Sequence, residues 1–162
     1  MTLHASVADE LAGRSISHEV LECDPDLADT AEFCAAYDIP IENSANAILI
    51  ASRKPEGEYA LCVVLATDRL DVNGTVRKKL GVRKASFATA EDTLERTGQA
   101  IGGVTVFGIP DEVPIWVDRA VTETGWVIVG AGTRTAKLKI DPELFVVDDR
   151  YEVVDGLTKE QE

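Results

Sequence analysis

The sequence predicts a single α+β (mixed α/β) domain, with a curved, mostly antiparallel sheet flanked by helices. Three observations predict it. Three or four segments carry helix start and stop signals, while seven or more short apolar runs are set off by turn residues and crowd into the second half. The chain has 162 residues with no internal repeat and no linker, the length of one domain with a sizeable core. Its hydrophobic fraction of 45% and charged fraction of 28% are those of an ordinary folded domain. One domain over residues 1–162 is therefore expected, with its core at roughly 5–155 and a polar, frayed tail at 156–162.

Taken in order, residues 5–13 read as a short helix stopped by Gly13, and residues 16–23 alternate as a strand. Asp26, or Asp24 with Pro25 behind it, caps a helix over roughly 26–37, with Leu27, Ala31, Cys34 and Ala35 on one face. Residues 46–53 form an apolar strand, K-P-E-G-E turns the chain, and Y-A-L-C-V-V-L-A returns as its antiparallel partner. Asn73 caps a basic helix that ends at Gly81, and K-A-S-F-A is a short strand. Thr89 opens the next helix, with Asp92 three residues on, and Gly98 stops it. Four more β runs are expected in G-V-T-V-F-G-I, P-I-W-V-D-R-A-V, W-V-I-V-G-A-G and T-A-K-L-K-I-D, with an edge hairpin over 145–154.

The stretch from Thr97 to Gly108 holds four of the twelve glycines, namely Gly98, Gly102, Gly103 and Gly108. Glycine admits positive φ and lets a ligand approach the main chain. Ile101, Val104, Val106 and Phe107 lie between the glycines and can pin such a loop to a core. A pinned loop of exposed N–H groups suits a carboxylate, a phosphate or an ester oxygen. Read alone, the stretch is equally a glycine-rich turn into a strand.

Composition closes several routes. The three cysteines, Cys23, Cys34 and Cys62, are odd in number and widely spaced, so they form neither a disulfide framework nor a metal-binding pair. His4 and His18 are the two histidines, too few to build a zinc site with them, and neither a metal nor a cofactor is expected. The phosphate-loop, zinc-protease and nucleophile-elbow motifs are all missing. Catalysis here would rest on positioning and backbone electrostatics. The net charge of −13 argues against broad nucleic-acid binding. Residues 77–84, R-K-K-L-G-V-R-K, nonetheless place five bases together without an acid, a local phosphate-facing patch, while residues 141–162 are strongly acidic. Asp118, at the end of the apolar run I-W-V-D, is a carboxylate that needs a reason. The N-terminal stretch lacks a basic start and a long apolar region, and no run approaches the ~20 residues that span a bilayer. A cytoplasmic protein without a membrane partner is expected.

Together, L-D-V-N-G-T-V-R-K-K-L-G, A-T-A-E-D-T-L-E-R-T-G, G-G-V-T-V-F-G, I-W-V-D and V-G-A-G resemble the YbaK/prolyl-tRNA synthetase-associated editing domain family, over roughly residues 30–145. The resemblance implies a YbaK-like fold and hydrolysis of the ester of misacylated tRNA, carried out in trans, without a metal or a protein nucleophile. A tRNA hydroxyl, a water or the substrate's own thiol would be positioned by the glycine loop. On this resemblance Gly102, Gly103, Val104 and Thr105 would position and polarise the ester carbonyl. Asn46, Gly98, Phe107, Gly108, Asp118 and Gly130 would contact the substrate or support the loop. Arg77, Lys78, Lys79, Arg83 and Lys84 would meet the tRNA acceptor end. An aminoacyl-tRNA synthetase is a further expected partner, and monomer and homodimer both stay open.

Two positions depart from the family pattern. Asn46 stands where a lysine is usual, and Val106 stands where a proline is usual. Asparagine is neutral and shorter than lysine; Arg53, Lys54 and Lys137 are candidates for a compensating charge. The alternative reading is a noncatalytic module that binds aminoacyl-tRNA or a nucleotide, or docks on a synthetase. A third is a hydrolase of small aminoacyl esters or thioesters that uses no tRNA.

Overall fold

The computed structural model describes residues 3–159, and they form the mixed α+β domain read from the sequence. Helix α1 (Ala5–Gly13) buries Val7 and Leu11, one turn apart, and is capped by the His4 ring, which accepts from the Ser6 amide at 3.2 Å. Strand β1 (Glu19–Glu22) is shorter than the predicted run. The helix predicted over 26–37 is broken. A 3₁₀ turn (Pro25–Leu27) is capped by Asp24, and α2 (Thr30–Tyr37) starts only after Asp29, whose backbone is extended. The break rotates the buried face: Ala28, Phe33 and Cys34 are inside, whereas Ala31 and Ala35 are exposed.

Strands β2 (Ala45–Lys54) and β3 (Glu56–Leu65) make the predicted hairpin, in register from Ala45↔Leu65 to Ala51↔Tyr59. After β4 (Arg69–Leu70), Asp71 rather than Asn73 caps the following π-type turn (Val72–Val76), accepting from the Gly74 and Thr75 amides at 3.1 Å each. Two carboxylate oxygens satisfy two free donors there, which a single amide oxygen at 73 could not match. Helix α3 (Arg77–Leu80) ends at Gly81, in the left-handed region at φ 72°. Strand β5 (Lys84–Phe87) follows, then α4 (Ala90–Thr97), with Thr89 and Gly98 as its caps as predicted.

The run predicted as a strand just beyond the glycine loop has no ladder partner; residues 104–109 are loop. Strand β6 (Ile115–Asp118), the turn of helix α5 (Arg119–Thr122), β7 (Val127–Gly130) and β8 (Ala136–Ile140) follow. The predicted hairpin over 145–154 is instead a helical turn, α6 (Leu144–Val147), and an edge strand, β9 (Tyr151–Val154), parallel to β6. Asp141 and Pro142 start that turn by taking the Glu143 and Phe145 amides. The tail is not frayed through 159: β10 (Thr158–Lys159) pairs with β4, and Leu157 is fully buried.

The larger sheet runs β5-β2-β3-β6-β9, antiparallel from β5 to β3 and parallel from β3 to β9. A second, antiparallel sheet runs β1-β8-β7. A bridge, Ser44↔Ile128, joins them. The main core fills the space between the sheets, with Leu49, Leu61, Val63, Phe107, Val129 and Leu138 among its members. The other face of the large sheet is covered as well, by Val72, Val76 and Leu157 over Ile50, Cys62 and Trp116. Burial on both faces explains why A-L-C-V-V-L is a continuous apolar run rather than an alternating one. A third cluster, around Cys23, Phe33, Cys34 and Ile128, seats α2 on the small sheet.

Candidate active site

The glycine loop is held by one side chain the sequence reading did not weigh. Gln99 is fully buried; its Nε2 donates to the Phe107 carbonyl at 2.8 Å, and its Oε1 accepts from the Thr105 amide at 3.0 Å. Its own amide donates to Thr97 Oγ1 at 3.0 Å. The loop's outer turn is then pressed onto the small sheet. The Gly103 carbonyl accepts from the Gly132 amide at 2.7 Å. A Cβ on Gly130 would run into Val104 O and lie 2.7 Å from Gly103 O, and one on Gly103 would lie 2.5 Å from Thr133 O. Glycine at 103 and 130 is thus required by close backbone approach.

This contact leaves a cavity of about 290 Å³ between the loop and the large sheet, at the small end of ligand pockets. It is lined by β2 from Ala45 to Leu49, by Asp29, Thr30 and Thr93, and by Ile101, Gly102, Val104, Gly130 and Lys137. Phe87, 57% exposed, stands at its edge. The structure therefore brings together Asn46, Gly102, Val104 and Gly130 from the predicted set. Asn46 Oδ1 accepts from Thr30 Oγ1 at 2.5 Å.

The rest lie elsewhere. Gly103 and Thr105 sit behind the cavity; Thr105 is fully buried and its hydroxyl has no partner among the described residues. Phe107 is core, Gly98 caps α4, and Gly108 packs against Ser6 while its amide donates to Glu10. Asp118 does not line the cavity: its carboxylate accepts from the Leu157 amide at 3.2 Å, and burial raises its pKa above the usual carboxylate value. In the basic stretch, Arg77 is turned onto the Asn73 and Val82 carbonyls, and Lys79 pairs with Glu152 beside the Trp116 ring. Lys78, Arg83 and Lys84 are exposed. Lys84 and Phe87 are the two ends of β5, so this charge lies about 10 Å from the cavity edge at strand spacing.

Of the three candidate compensating cations, Lys137 alone lines the cavity among the described residues. Arg53 is held by Ser86 Oγ and the Phe87 carbonyl, and Lys54 lies opposite Lys84. Lys137 is 7% exposed, and its Nζ donates to the Gly102 carbonyl at 3.3 Å and lies 5.7 Å from the centre of the Phe33 ring. Among the described residues it makes no ion pair. Burial pulls its pKa below the usual lysine value; Cys23, Asp29 and Cys34 pull it up, and Arg134 pushes it further down. Asp29 is engaged by Arg134 at 3.3 Å, and Arg134 also reaches the Pro25 and Ile101 carbonyls, so it ties the start of α2 to the loop.

Among the described residues no group of three or more His, Cys, Asp or Glu side chains could hold a metal ion, and no helix is long and apolar enough to cross a membrane. All three cysteines are free and buried, and burial pushes the Cys62 thiol up to about 12. Such thiols are poor nucleophiles.

The family described as the aminoacyl-tRNA editing domain matches residues 24–146. An uncharacterized protein of Bacillus subtilis (strain 168), YwhH, is 28% identical over 92 residues, 57% of this chain. That match spans 58% of YwhH. Among solved structures, a candidate trans-editing enzyme for prolyl-tRNA synthetase superposes with a TM-score of 0.80 at 23% identity, covering 99% of this chain and 100% of that one. A hypothetical protein superposes at 0.84 with 21% identity, covering 95% and 99%. Both likenesses are of fold.

Proposed function

Because the chain belongs to the aminoacyl-tRNA editing domain family, we propose that it is an aminoacyl-tRNA deacylase. The observation that carries this reading is the cavity in which Gly102, Val104, Gly130, Asn46 and Lys137 converge. It has room for an aminoacyl group presented on the 3′ end of a tRNA. The titratable side chains in its lining are Asp29 and Lys137, and Asp29 is occupied by Arg134. Among the described lining residues no side chain is set up as an activated nucleophile, so a water is the attacking group, held in place by hydrogen bonding to a ribose hydroxyl of the tRNA end.

The oxygen of that water attacks the ester carbonyl carbon. As the carbonyl becomes an oxyanion, a hydrogen-bond donor in the cavity lining would stabilise it more than it stabilises the ground state. The acyl–oxygen bond to the ribose then breaks, and the ribose oxygen leaves with a proton. With water as nucleophile the products are the free amino acid and the tRNA with its hydroxyl restored. Asn46, held by Thr30, has its amide hydrogens left to orient the acyl group. Lys78, Arg83 and Lys84 would meet backbone phosphates of the acceptor stem, and a synthetase that supplies the mischarged tRNA, one for proline included, is the matching partner.

The test is deacylation of alanyl-, cysteinyl-, seryl- and prolyl-tRNA by the wild type and by Gly102→Val. Turnover of at least one substrate, lost in Gly102→Val, supports the reading. A second reading, binding without turnover, is favoured by the neutral Asn46. It predicts retained tRNA binding, with every ester left intact.

A further inference from the structure

Lys137 is a buried lysine with no carboxylate at ion-pair distance among the described residues. A cation removed from water is ordinarily paired, because leaving it alone is strongly unfavourable. Here the ammonium spends one donor on the Gly102 carbonyl, at 3.3 Å, and the cavity lies beside it. An ammonium has three donors. The groups that face it from neighbouring elements are Cys23 beyond β1, Asp29 and Cys34 of the α2 segment, Arg134 before β8, and the Phe33 ring. Asp29, the one acid among them, is paired with Arg134 at 3.3 Å rather than with Lys137. Asn46, in the same lining, is neutral, and its side-chain oxygen accepts from Thr30. The cavity thus has one strong donor group, carried by β8 and bonded to the loop that bounds it.

Resting on the deacylase reading, we propose that Lys137 is the catalytic cation of this site, donating to the ester carbonyl oxygen as negative charge develops there. The arrangement supplies a full charge in a partly dehydrated cavity, where it acts more strongly than in water. It also explains how position 46 tolerates asparagine: the lysine is supplied from β8 rather than from β2. The working form is the ammonium. The rate of the bound complex therefore falls as pH rises through the lysine's depressed pKa, after subtraction of uncatalysed ester hydrolysis. A lysine acting as general base would give the opposite slope.

The experiment uses the full chain and the mischarged tRNA that the wild type turns over best, with kcat and KM measured from pH 6 to 10 for wild type, Lys137→Met, Lys137→Arg and the double variant Asn46→Lys/Lys137→Met. Circular dichroism establishes that each is folded. We expect Lys137→Met to lose on the order of 10²-fold in kcat, with KM for tRNA within about twofold of wild type. Lys137→Arg should keep part of the activity and lose the alkaline fall, because a guanidinium does not titrate in this range. The double variant should regain activity by returning a lysine to the same cavity. Folded Lys137→Met with wild-type kcat, or a rate that rises with pH through the same range in wild type alone, overturns the proposal and leaves the deacylase reading standing. Wild-type silence on every mischarged tRNA sinks that reading, and this one with it.

Discussion

Gln99 and Phe107, eight residues apart, are joined by a 2.8 Å hydrogen bond from the buried side-chain amide to the backbone carbonyl. With the Thr105 amide on its other end, Gln99 replaces the ladder partners that loop backbone lacks. Gln99→Leu leaves a buried N–H and a buried C=O unpaired. An unmet group of this kind costs about 1–3 kcal/mol, so the urea midpoint should drop clearly and deacylation should fall with it. An unchanged midpoint would show that water takes over both partners.

Gly130 tests the close contact between loop and sheet. In Gly130→Ala the new methyl meets Val104 O and Gly103 O, so the loop must lift and the cavity must change shape. A tenfold or greater loss of deacylation is expected, since small misplacements of a positioning loop are costly in rate. Gly125→Ala, where a Cβ meets nothing within 4 Å, is the matched control and should stay within about 0.5 kcal/mol of wild type in stability. Equal activity in both variants would count against the loop.

The two structural aspartates should respond to pH with opposite signs. Hydrogen bonds from Thr75 and Gly74 hold the Asp71 carboxyl below its usual pKa. Its stabilising contribution is therefore present above the ordinary carboxylate value and is lost as pH falls through the depressed one. Burial raises Asp118 instead, so its contribution is greatest below the ordinary value and declines as pH rises toward the raised one. Denaturant titrations at several pH values should show Asp71→Asn weakened by about 1 kcal/mol at neutral pH, because the amide keeps one of the two acceptors that Gly74 and Thr75 use and loses the charge. Asp118→Asn should be neutral or more stable there, because Asn Oδ1 can still accept from Leu157.

The exposed part of the basic stretch should act through charge alone. Reversing Lys78, Arg83 and Lys84 to Glu should raise KM for tRNA and flatten its salt dependence, with kcat little changed. Arg77→Ala should differ, lowering stability, because that side chain holds the Asn73 and Val82 carbonyls. A reversed patch that left KM and the salt slope untouched would favour hydrolysis of small esters that lack a tRNA.

Much of the architecture was legible because its signals are local. Thr89 and Gly98 mark a helix by cap chemistry, and the 46–65 hairpin announces itself by two apolar runs around a turn. Where the sequence misled, a distant element decided. Phe145-Val146-Val147 looks like a strand, yet Asp141 and Pro142 capture the amides just ahead and wind a turn. In T-A-K-L-K-I-D the alternation puts Lys137 and Lys139 on one face that reads as solvent. Phe33 covers the first and Trp126 takes the second, and α2, more than a hundred residues earlier, could not be placed there from the pattern. The role of Gln99 is not legible in the sequence, because its side-chain partners are main-chain atoms and leave no trace there. Asp118 showed that it needed a partner, but the partner is the Leu157 amide, in a tail taken to be loose.

The pairing of β1 with β8 bears on the birth of the protein. Glu19–Glu22 cannot find Ala136–Lys139 until residue 139 has left the ribosome, and closing so long a loop is entropically slow. The β2–β3 hairpin, by contrast, can form as soon as residue 65 is free. The strand that carries Lys137 is thus added late to a hairpin already standing, so a chain stalled before residue 136 can own much of the large sheet and none of the charge that β8 brings to the cavity.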